Sequence, residues 1–256
     1  MCGICGIVGH QPASPIAFEA LRRLEYRGYD SAGIATLTAS GNIERRRAAG
    51  KLDNLEHVLK EHPLPGTTGI GHTRWATHGA PTENNAHPHE AGRVAIVHNG
   101  IIENFAELKK ELEAKGRVFR TETDSETVAH LVDDYMGQGL EPREAAFAAI
   151  KRLEGAYAIA MIFKDHEGLL IGARHGAPLA VGYGNGEMFL GSDSIALAPM
   201  ARKMTYLEDG DWCELTPGHV IIFDMAGAEV SRPVQDLTFM AGQVGKDGYR
   251  HYMEKE

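Results

Sequence analysis

The apolar run Ala156-Tyr157-Ala158-Ile159-Ala160-Met161-Ile162-Phe163 decides the fold class of this chain, because it opens a second half made of closely spaced strands. Short apolar runs bounded by turn residues are typical of β-strands. Five further runs of this kind follow, at 169–173, 179–183, 188–191, 211–215 and 220–223. Strands spaced this closely predict antiparallel sheets.

The first half of the chain mixes strands with amphipathic helices. Strand-like runs lie at 4–8, 33–37, 69–75 and 94–98. Four helices are predicted: one from Ser14 to Arg27, one over 103–115, one that begins with a capping box of Thr123 and Glu126, and one that begins at Pro142. Helices clustered apart from meandering strands indicate an α+β protein rather than alternating βαβ units.

Composition limits the function classes. The chain has 256 residues, 43% of them hydrophobic and 24% charged, as in ordinary globular proteins, and we expect one main domain. A formal charge of −9 gives no electrostatic reason to expect a nucleic acid or an anionic membrane as partner. Three cysteines cannot form a disulfide framework, and neither a signal peptide nor an apolar run of roughly 20 residues is present. We therefore expect a cytoplasmic protein that acts on small molecules.

Cys2 is the candidate nucleophile. It follows Met1 directly, so removal of Met1 would leave a cysteine at the N-terminus. Its new α-amino group, with an unperturbed pKa of roughly 7.7 to 8.0, would lie on the same residue as the thiol and could accept the thiol proton. The alternative for an isolated Cys2 is a small apolar residue at the start of a buried strand.

Three polar segments carry groups that such a nucleophile needs. In the run 71–79, the guanidinium of Arg74 could bind a carboxylate through two parallel hydrogen bonds, which suits an amino-acid substrate. The amide of Asn99 and the backbone N–H of Gly100 could both point at a developing oxyanion. Asp124 could receive an α-ammonium group. Each group also has a structural alternative. Arg74 could form a surface ion pair, Asn99-Gly100 could form a turn, and Asp124 could be an acid favoured by a helix dipole.

A set of histidines supports an alternative function, a metal-dependent hydrolase. Its three candidate ligands are His87, His89 and His98, and His72 and His78 add to the count. No Asp or Glu lies at a spacing that would complete such a site, so loop histidines without a metal are the other interpretation.

Taken together, these segments resemble one family, the N-terminal-nucleophile (type 2) glutamine amidotransferases, and within it the hexosamine-forming branch. The runs that carry the resemblance are Cys2-Gly3-Ile4, 21–33, 71–79, 85–89, 97–104, 123–126 and 155–157. The Cys-Gly-Ile and Asn-Gly runs are shared across the class. The runs Arg-Gly-Tyr-Asp-Ser-Ala-Gly (27–33) and His-Thr-Arg-Trp-Ala-Thr-His-Gly (72–79) indicate the hexosamine branch.

The resemblance implies a fold and a set of site residues. The expected fold is a four-layer αββα sandwich, with two antiparallel sheets face to face and helices outside. The implied catalytic residues are Cys2 as nucleophile, with its own amine as base, and Asn99 and Gly100 as the oxyanion hole. The implied substrate-binding residues are Arg74, Trp75, Thr77, His78, Asp124 and His87. No metal ion and no organic cofactor is implied.

The resemblance also implies a place in a larger enzyme. Residues 1–240 would form a glutaminase domain, and 241–256 would begin a linker toward a sugar-phosphate isomerase module. L-glutamine would be hydrolysed through a Cys2 γ-glutamyl thioester, and the ammonia would serve to convert fructose 6-phosphate to glucosamine 6-phosphate. A homodimeric full-length enzyme is compatible with this reading. A catalytically inactive domain of the same fold is the remaining alternative.

Overall fold

The computed structural model of the chain describes residues 2–27, 30–75 and 79–237. In chain order the strands are β1 (Gly3–Val8), β2 (Ser31–Leu37), β3 (Ile43–Ala49), β4 (Thr68–Arg74), β5 (His89–Ala91), β6 (Val94–Ile102), β7 (Gly155–Phe163), β8 (Leu170–His175), β9 (Ala180–Tyr183), β10 (Met188–Gly191), β11 (Lys203–Tyr206), β12 (Trp212–Thr216), β13 (His219–Phe223), β14 (Glu229–Val230) and β15 (Gln235–Asp236). The helices are α1 (Ala13–Leu24), α2 (Leu52–Glu61), α3 (Phe105–Ala114), α4 (Ser125–Gly137), α5 (Pro142–Ile150) and α6 (Ser194–Leu197).

The strands form two sheets. One has the order β15-β11-β9-β10-β1-β4-β2-β3, and the other has the order β14-β13-β12-β8-β7-β6-β5. Neighbouring strands are antiparallel throughout both sheets. The prediction of antiparallel sheets from the spacing of the strands is confirmed.

Three apolar clusters define the layers. One lies between the sheets and joins residues such as Ile70 of β4 to Val97 of β6. A second joins the outer face of the eight-stranded sheet to α1, α2 and α6, and a third joins the outer face of the seven-stranded sheet to α3, α4 and α5. The order of layers is therefore helix, sheet, sheet, helix, as the resemblance implies.

Strand β1 lies near the middle of the eight-stranded sheet, between β10 and β4. Its side chains alternate, because Ile4 and Val8 belong to the cluster between the sheets while Cys5 and Ile7 belong to the cluster under the helices. The Cys5 thiol donates a hydrogen bond to the carbonyl of Ala17 in α1 (3.6 Å). Burial raises the pKa of Cys5, so we expect this second thiol to be unreactive.

One predicted detail is wrong, and seven elements were not predicted from the sequence: β3, β5, β11, β14, β15, α2 and α6. Strand β3 contains three consecutive arginines and lies at a sheet edge, where apolar alternation is weak. Helix α2 fully buries only Leu52 and Leu55. The capping box of Thr123 and Glu126 is not formed, because Glu126 accepts hydrogen bonds from the backbone N–H groups of Arg120 (2.9 Å) and Thr121 (2.7 Å) instead.

None of the helices in the part of the chain that the structure describes has the length and apolar composition needed to cross a membrane. The predicted linker, 241–256, lies outside the described residues, so the domain boundary at 240 stays a prediction.

Candidate active site

A cavity of about 450 Å³ opens beside the start of β1. Seven of the predicted site residues line it, namely Cys2, Arg74, Trp75, His87, Asn99, Gly100 and Asp124. The other two, Thr77 and His78, lie outside the described residues. Further lining residues are His98, Ile101, Thr123, Ser125, Gly176, Ala177, Pro178 and Ser192.

The pairing of strands explains why Cys2 and Arg74 line the same cavity. In the antiparallel register of β1 and β4, Gly3 lies opposite Thr73, so Cys2 lies beside the end of β4. The Cys2 sulfur accepts a hydrogen bond from the backbone N–H of Trp75 (3.2 Å), and it also lies 3.4 Å from the Trp75 carbonyl oxygen. Two residues that are more than 70 positions apart in sequence are thereby joined.

The environment of Cys2 keeps its thiol protonated. Burial raises the pKa of Cys2, and the backbone hydrogen bond from Trp75 only partly opposes this effect. A thiol with a raised pKa is a weak nucleophile at neutral pH, because the thiolate is the reactive form. Chemistry at Cys2 therefore needs a base close to the sulfur.

Asn99 and Gly100 do not form a turn. Both lie within strand β6, opposite Ala158 and Tyr157 of β7. The Asn99 side-chain N–H donates a hydrogen bond to the backbone oxygen of Cys2 (3.0 Å). Gly100 has a φ of +120°, and a Cβ there would lie 1.9 Å from the carbonyl oxygen of Ala156. Only glycine fits at this position, so the two residues are held beside Cys2 by the sheet.

Arg74 is buried and does not lie on the surface. Only 3% of the residue is exposed, at the end of β4. Its guanidinium donates hydrogen bonds to the carbonyl oxygens of Gly79 (3.3 Å) and Ala80 (3.2 Å). Since a guanidinium carries five N–H donors, it can hold these backbone atoms and also face the cavity.

Asp124 is a buried carboxylate that precedes α4 without capping it through its side chain. Its Oδ2 accepts a hydrogen bond from the backbone N–H of Ile102 (2.8 Å), and the Ser125 hydroxyl lies 3.4 Å from its Oδ1. The helix dipole alone does not explain these contacts. Together with Arg74, this residue gives the cavity one anion and one cation, the charges that complement a free α-amino acid.

The histidines of the alternative metal site make contacts with hydroxyl groups. His87 Nε2 and His98 Nδ1 lie 3.0 and 2.9 Å from the Ser125 hydroxyl, and His89 Nε2 lies 3.2 Å from that of Thr123. Within the described ranges, no group of three or more His, Cys, Asp or Glu side chains is arranged to hold a metal ion. The geometry therefore gives this alternative no support.

These buried imidazoles predict a pH dependence of stability. Burial lowers the pKa of His72 to about 3 and the pKa values of His87 and His89 well below 6.5. Below pH 6.5 these histidines bind protons in the unfolded chain but stay neutral in the folded chain. We therefore expect the free energy of unfolding to fall as the pH is lowered from 6.5 toward 5. The slope should reach about 1.4 kcal/mol per pH unit for each such histidine.

Denaturant unfolding at pH 7.5, 6.5, 5.5 and 5.0 measures this effect. His89→Gln should flatten the dependence, whereas His57→Gln, at an exposed position of α2, should leave it unchanged. A free energy of unfolding that is constant over this range would contradict the prediction.

Part of the cavity wall was not identified from the sequence. Ser192 and the segment 176–178 come from the second half of the chain. Ser192 directly follows β10, and its hydroxyl accepts a hydrogen bond from the backbone N–H of Ile4 in the paired strand β1 (2.9 Å). Only the order of strands in the sheet could have indicated that Ser192 lies near Cys2.

Comparison with known proteins defines the class. A family model described as "Glutamine amidotransferase domain" matches residues 72–199, half of the chain. The chain therefore belongs to the glutamine amidotransferase domain family, a class of enzymes, and the family resemblance read from the sequence is confirmed.

Particular relatives refine this assignment. The chain is 98% identical over all 256 residues to glutamine–fructose-6-phosphate aminotransferase (isomerizing) of Gluconobacter oxydans (strain 621H). It is 60% identical to the protein of the same name from Mesorhizobium japonicum. In both cases the whole chain is matched to only 42% of the relative, so the chain spans less than half the length of these proteins.

A solved structure supports the fold. Glutamine phosphoribosylpyrophosphate amidotransferase from B. subtilis, complexed with ADP and GMP, aligns with a TM-score of 0.71 at 24% identity, over 93% of this chain and 49% of that one. The likeness confirms the two-sheet architecture with flanking helices.

Proposed function

We propose that this chain hydrolyses L-glutamine to glutamate and ammonia through a γ-glutamyl thioester on Cys2. One observation carries the proposal: a single cavity is lined by a thiol, an Asn99-Gly100 pair beside it, one buried cation and one buried anion. Arg74 binds the α-carboxylate of glutamine, and Asp124 binds its α-ammonium group. These two contacts leave the side-chain amide of glutamine to reach Cys2.

The first half of the reaction forms the thioester. After removal of Met1, the α-amine of Cys2 takes the thiol proton, and the sulfur attacks the amide carbon of glutamine. The carbonyl oxygen becomes an oxyanion, which accepts hydrogen bonds from Asn99 Nδ2 and the backbone N–H of Gly100. The C–N bond then breaks, the α-ammonium of Cys2 returns its proton to the nitrogen, and ammonia leaves.

The second half releases glutamate. The α-amine of Cys2 takes a proton from a water molecule, whose oxygen adds to the thioester carbon. The C–S bond breaks, the sulfur regains its proton, and glutamate leaves. No redox step occurs, and the enzyme returns to its starting state.

Four further residues complete the proposed glutamine site. Trp75, which is 49% exposed at the cavity, belongs with Thr77 and His78 to a segment that in the resembling family closes over bound glutamine. His87 is buried against Ser125, which also lies next to Asp124 in sequence. We assign His87 to the substrate site through this contact.

We further propose a role for the chain within a longer enzyme. The two relatives described above are named for amino transfer to fructose 6-phosphate with isomerization. In that enzyme, residues 1–240 would supply ammonia, and 241–256 would lead into a sugar-phosphate isomerase module that forms glucosamine 6-phosphate. All three cysteines are free thiols, which supports a reducing, cytoplasmic location.

A glutamine-like electrophile tests the proposal. Treatment with 6-diazo-5-oxo-L-norleucine, followed by intact and peptide mass spectrometry, should show one label, on the sulfur of an N-terminal Cys2, and excess L-glutamine should prevent it. Cys2→Ala is the matched control and should take up no label.

Other outcomes would contradict the assignment. Labelling of Cys5 or Cys213, or no labelling of a chain that has lost Met1, would favour a catalytically inactive domain of this fold. Hydrolysis that a chelator abolishes would favour the metal-dependent alternative.

A further inference from the structure

His72 lies directly behind Asn99 and outside the cavity wall. It belongs to β4 of the eight-stranded sheet, is fully buried, and contacts β6 of the other sheet. Its Nε2 lies 2.9 Å from Asn99 Oδ1 and 3.1 Å from the backbone carbonyl oxygen of His98. The imidazole therefore connects the two sheets at the point where Asn99 approaches Cys2.

The contacts determine which ring nitrogen carries the proton. The carbonyl oxygen of His98 can only accept a hydrogen bond, so Nε2 of His72 must be the N–H donor. Burial lowers the pKa of His72 to about 3, so the ring is neutral at physiological pH and Nδ1 carries no proton.

The same reasoning fixes the orientation of the Asn99 amide. The Asn99 amide atom that faces His72 lies 2.9 Å from this Nε2–H donor. An amide N–H₂ in that place would set two donors against each other, so the amide oxygen must face His72. On the other side, the backbone oxygen of Cys2 lies 3.0 Å from Asn99 Nδ2 and requires a donor. Both neighbours therefore select one orientation, in which the N–H₂ group points toward Cys2.

We propose that His72 is a positioning residue, whose Nε2–H holds the Asn99 amide with its N–H₂ group toward the oxyanion that forms at Cys2. This inference rests on the proposed glutaminase activity. Without the donor, the amide can rotate and turn its oxygen toward the developing negative charge. Loss of one oxyanion-hole donor typically lowers kcat by about 10²- to 10³-fold.

Two substitutions of His72 distinguish loss of its N–H donor from loss of its side-chain volume. In glutamine, the side-chain nitrogen is as many bonds from Cβ as Nε2 is in histidine, and methionine has nearly the same length but no donor. We expect His72→Met to lower kcat for glutamine hydrolysis by about 10- to 100-fold with less than a threefold change in KM. His72→Gln should recover most of this loss.

A double-variant cycle tests whether the effect passes through Asn99. In an Asn99→Ala background, His72→Met and His72→Gln should have the same kcat within about twofold, because no amide remains to be oriented. His89→Met is the matched control: it removes a buried imidazole from the same cluster, but that ring contacts Thr123 rather than Asn99. Any loss it causes should be of the same size in both backgrounds.

The outcomes distinguish this inference from the proposed function. Equal kcat values for His72→Met and His72→Gln in the native background would overturn the positioning role, as would an equal loss with and without Asn99. The melting temperatures of the two variants are measured as well. Equal values show that the variants are equally folded and differ only in the donor. If Asn99→Ala and Cys2→Ala both hydrolysed glutamine at the native rate, the proposed function itself would fail.

Discussion

Cys2→Ala is expected to lower kcat for glutamine hydrolysis by about 10⁴-fold or more, since removal of a covalent nucleophile leaves only binding and oxyanion stabilisation. The substitution removes one sulfur atom at the N-terminal side of β1. Its main interaction there is with the Trp75 backbone, so the cavity wall and the central strand should persist. Release of ammonia from glutamine, with bound glutamine followed by calorimetry, measures both the loss of turnover and the survival of the site.

The other two cysteines provide matched controls. Cys5→Ala and Cys213→Ala each remove a fully buried thiol that does not line the cavity, and both should retain glutaminase activity within a few-fold. Intact mass must show that Met1 is removed equally from every variant, because a retained Met1 would acylate the Cys2 amine and remove the base. Substantial activity in Cys2→Ala, or a comparable loss in Cys5→Ala, would refute Cys2 as the nucleophile.

Local sequence patterns singled out some of the residues that line the cavity and missed others. Cys2, Arg74 and Asp124 lie in polar segments whose chemistry can be read locally, and all three line one cavity. Ser192 lies at the end of β10, and its relation to Cys2 depends on the pairing of strands that are almost 190 residues apart. No local pattern carries that information.

Asn99 and Gly100 show how tertiary structure overrides a local signal. Asn-Gly is among the strongest hairpin signals, yet here the pair continues β6. The positive φ of Gly100 serves the close approach of the Ala156 carbonyl oxygen from β7, not a reversal of the chain. The position of His72 behind Asn99 likewise follows from how the two sheets face each other, which the periodicity of neither strand predicts.

Buried strands and edge strands also differ in how well the sequence predicts them. Strands buried on both faces or packed beneath helices give clear apolar runs, as β7 does, and these were predicted. The edge strand β3 carries Arg45, Arg46 and Arg47, whose guanidiniums bind neighbouring loop and carboxylate oxygens. This polar composition suits an edge strand, but it leaves no alternation of apolar and polar residues from which a strand could be predicted.

Arg74→Ala is expected to raise the KM for glutamine by about 30-fold to several thousandfold, because breaking a buried charge pair costs about 2–5 kcal/mol. The guanidinium is almost fully buried at the cavity wall, so little solvent screening weakens its contact with a substrate carboxylate. Steady-state kinetics with glutamine measures the change. Arg74→Lys keeps the charge but loses the planar pair of donors, so its KM should lie between those of the native protein and Arg74→Ala.

A second substrate separates lost carboxylate binding from damage to the loop. Arg74 also holds the carbonyl oxygens of Gly79 and Ala80, so Arg74→Ala could disturb the segment that follows β4. 4-Aminobutanamide is glutamine without its α-carboxylate, and the native protein should turn it over with a much lower kcat/KM. In Arg74→Ala this preference should nearly vanish, because the group that distinguishes the two substrates has lost its partner. If the preference persists while both substrates react more slowly, the carboxylate binds elsewhere and Arg74 acts only on the loop.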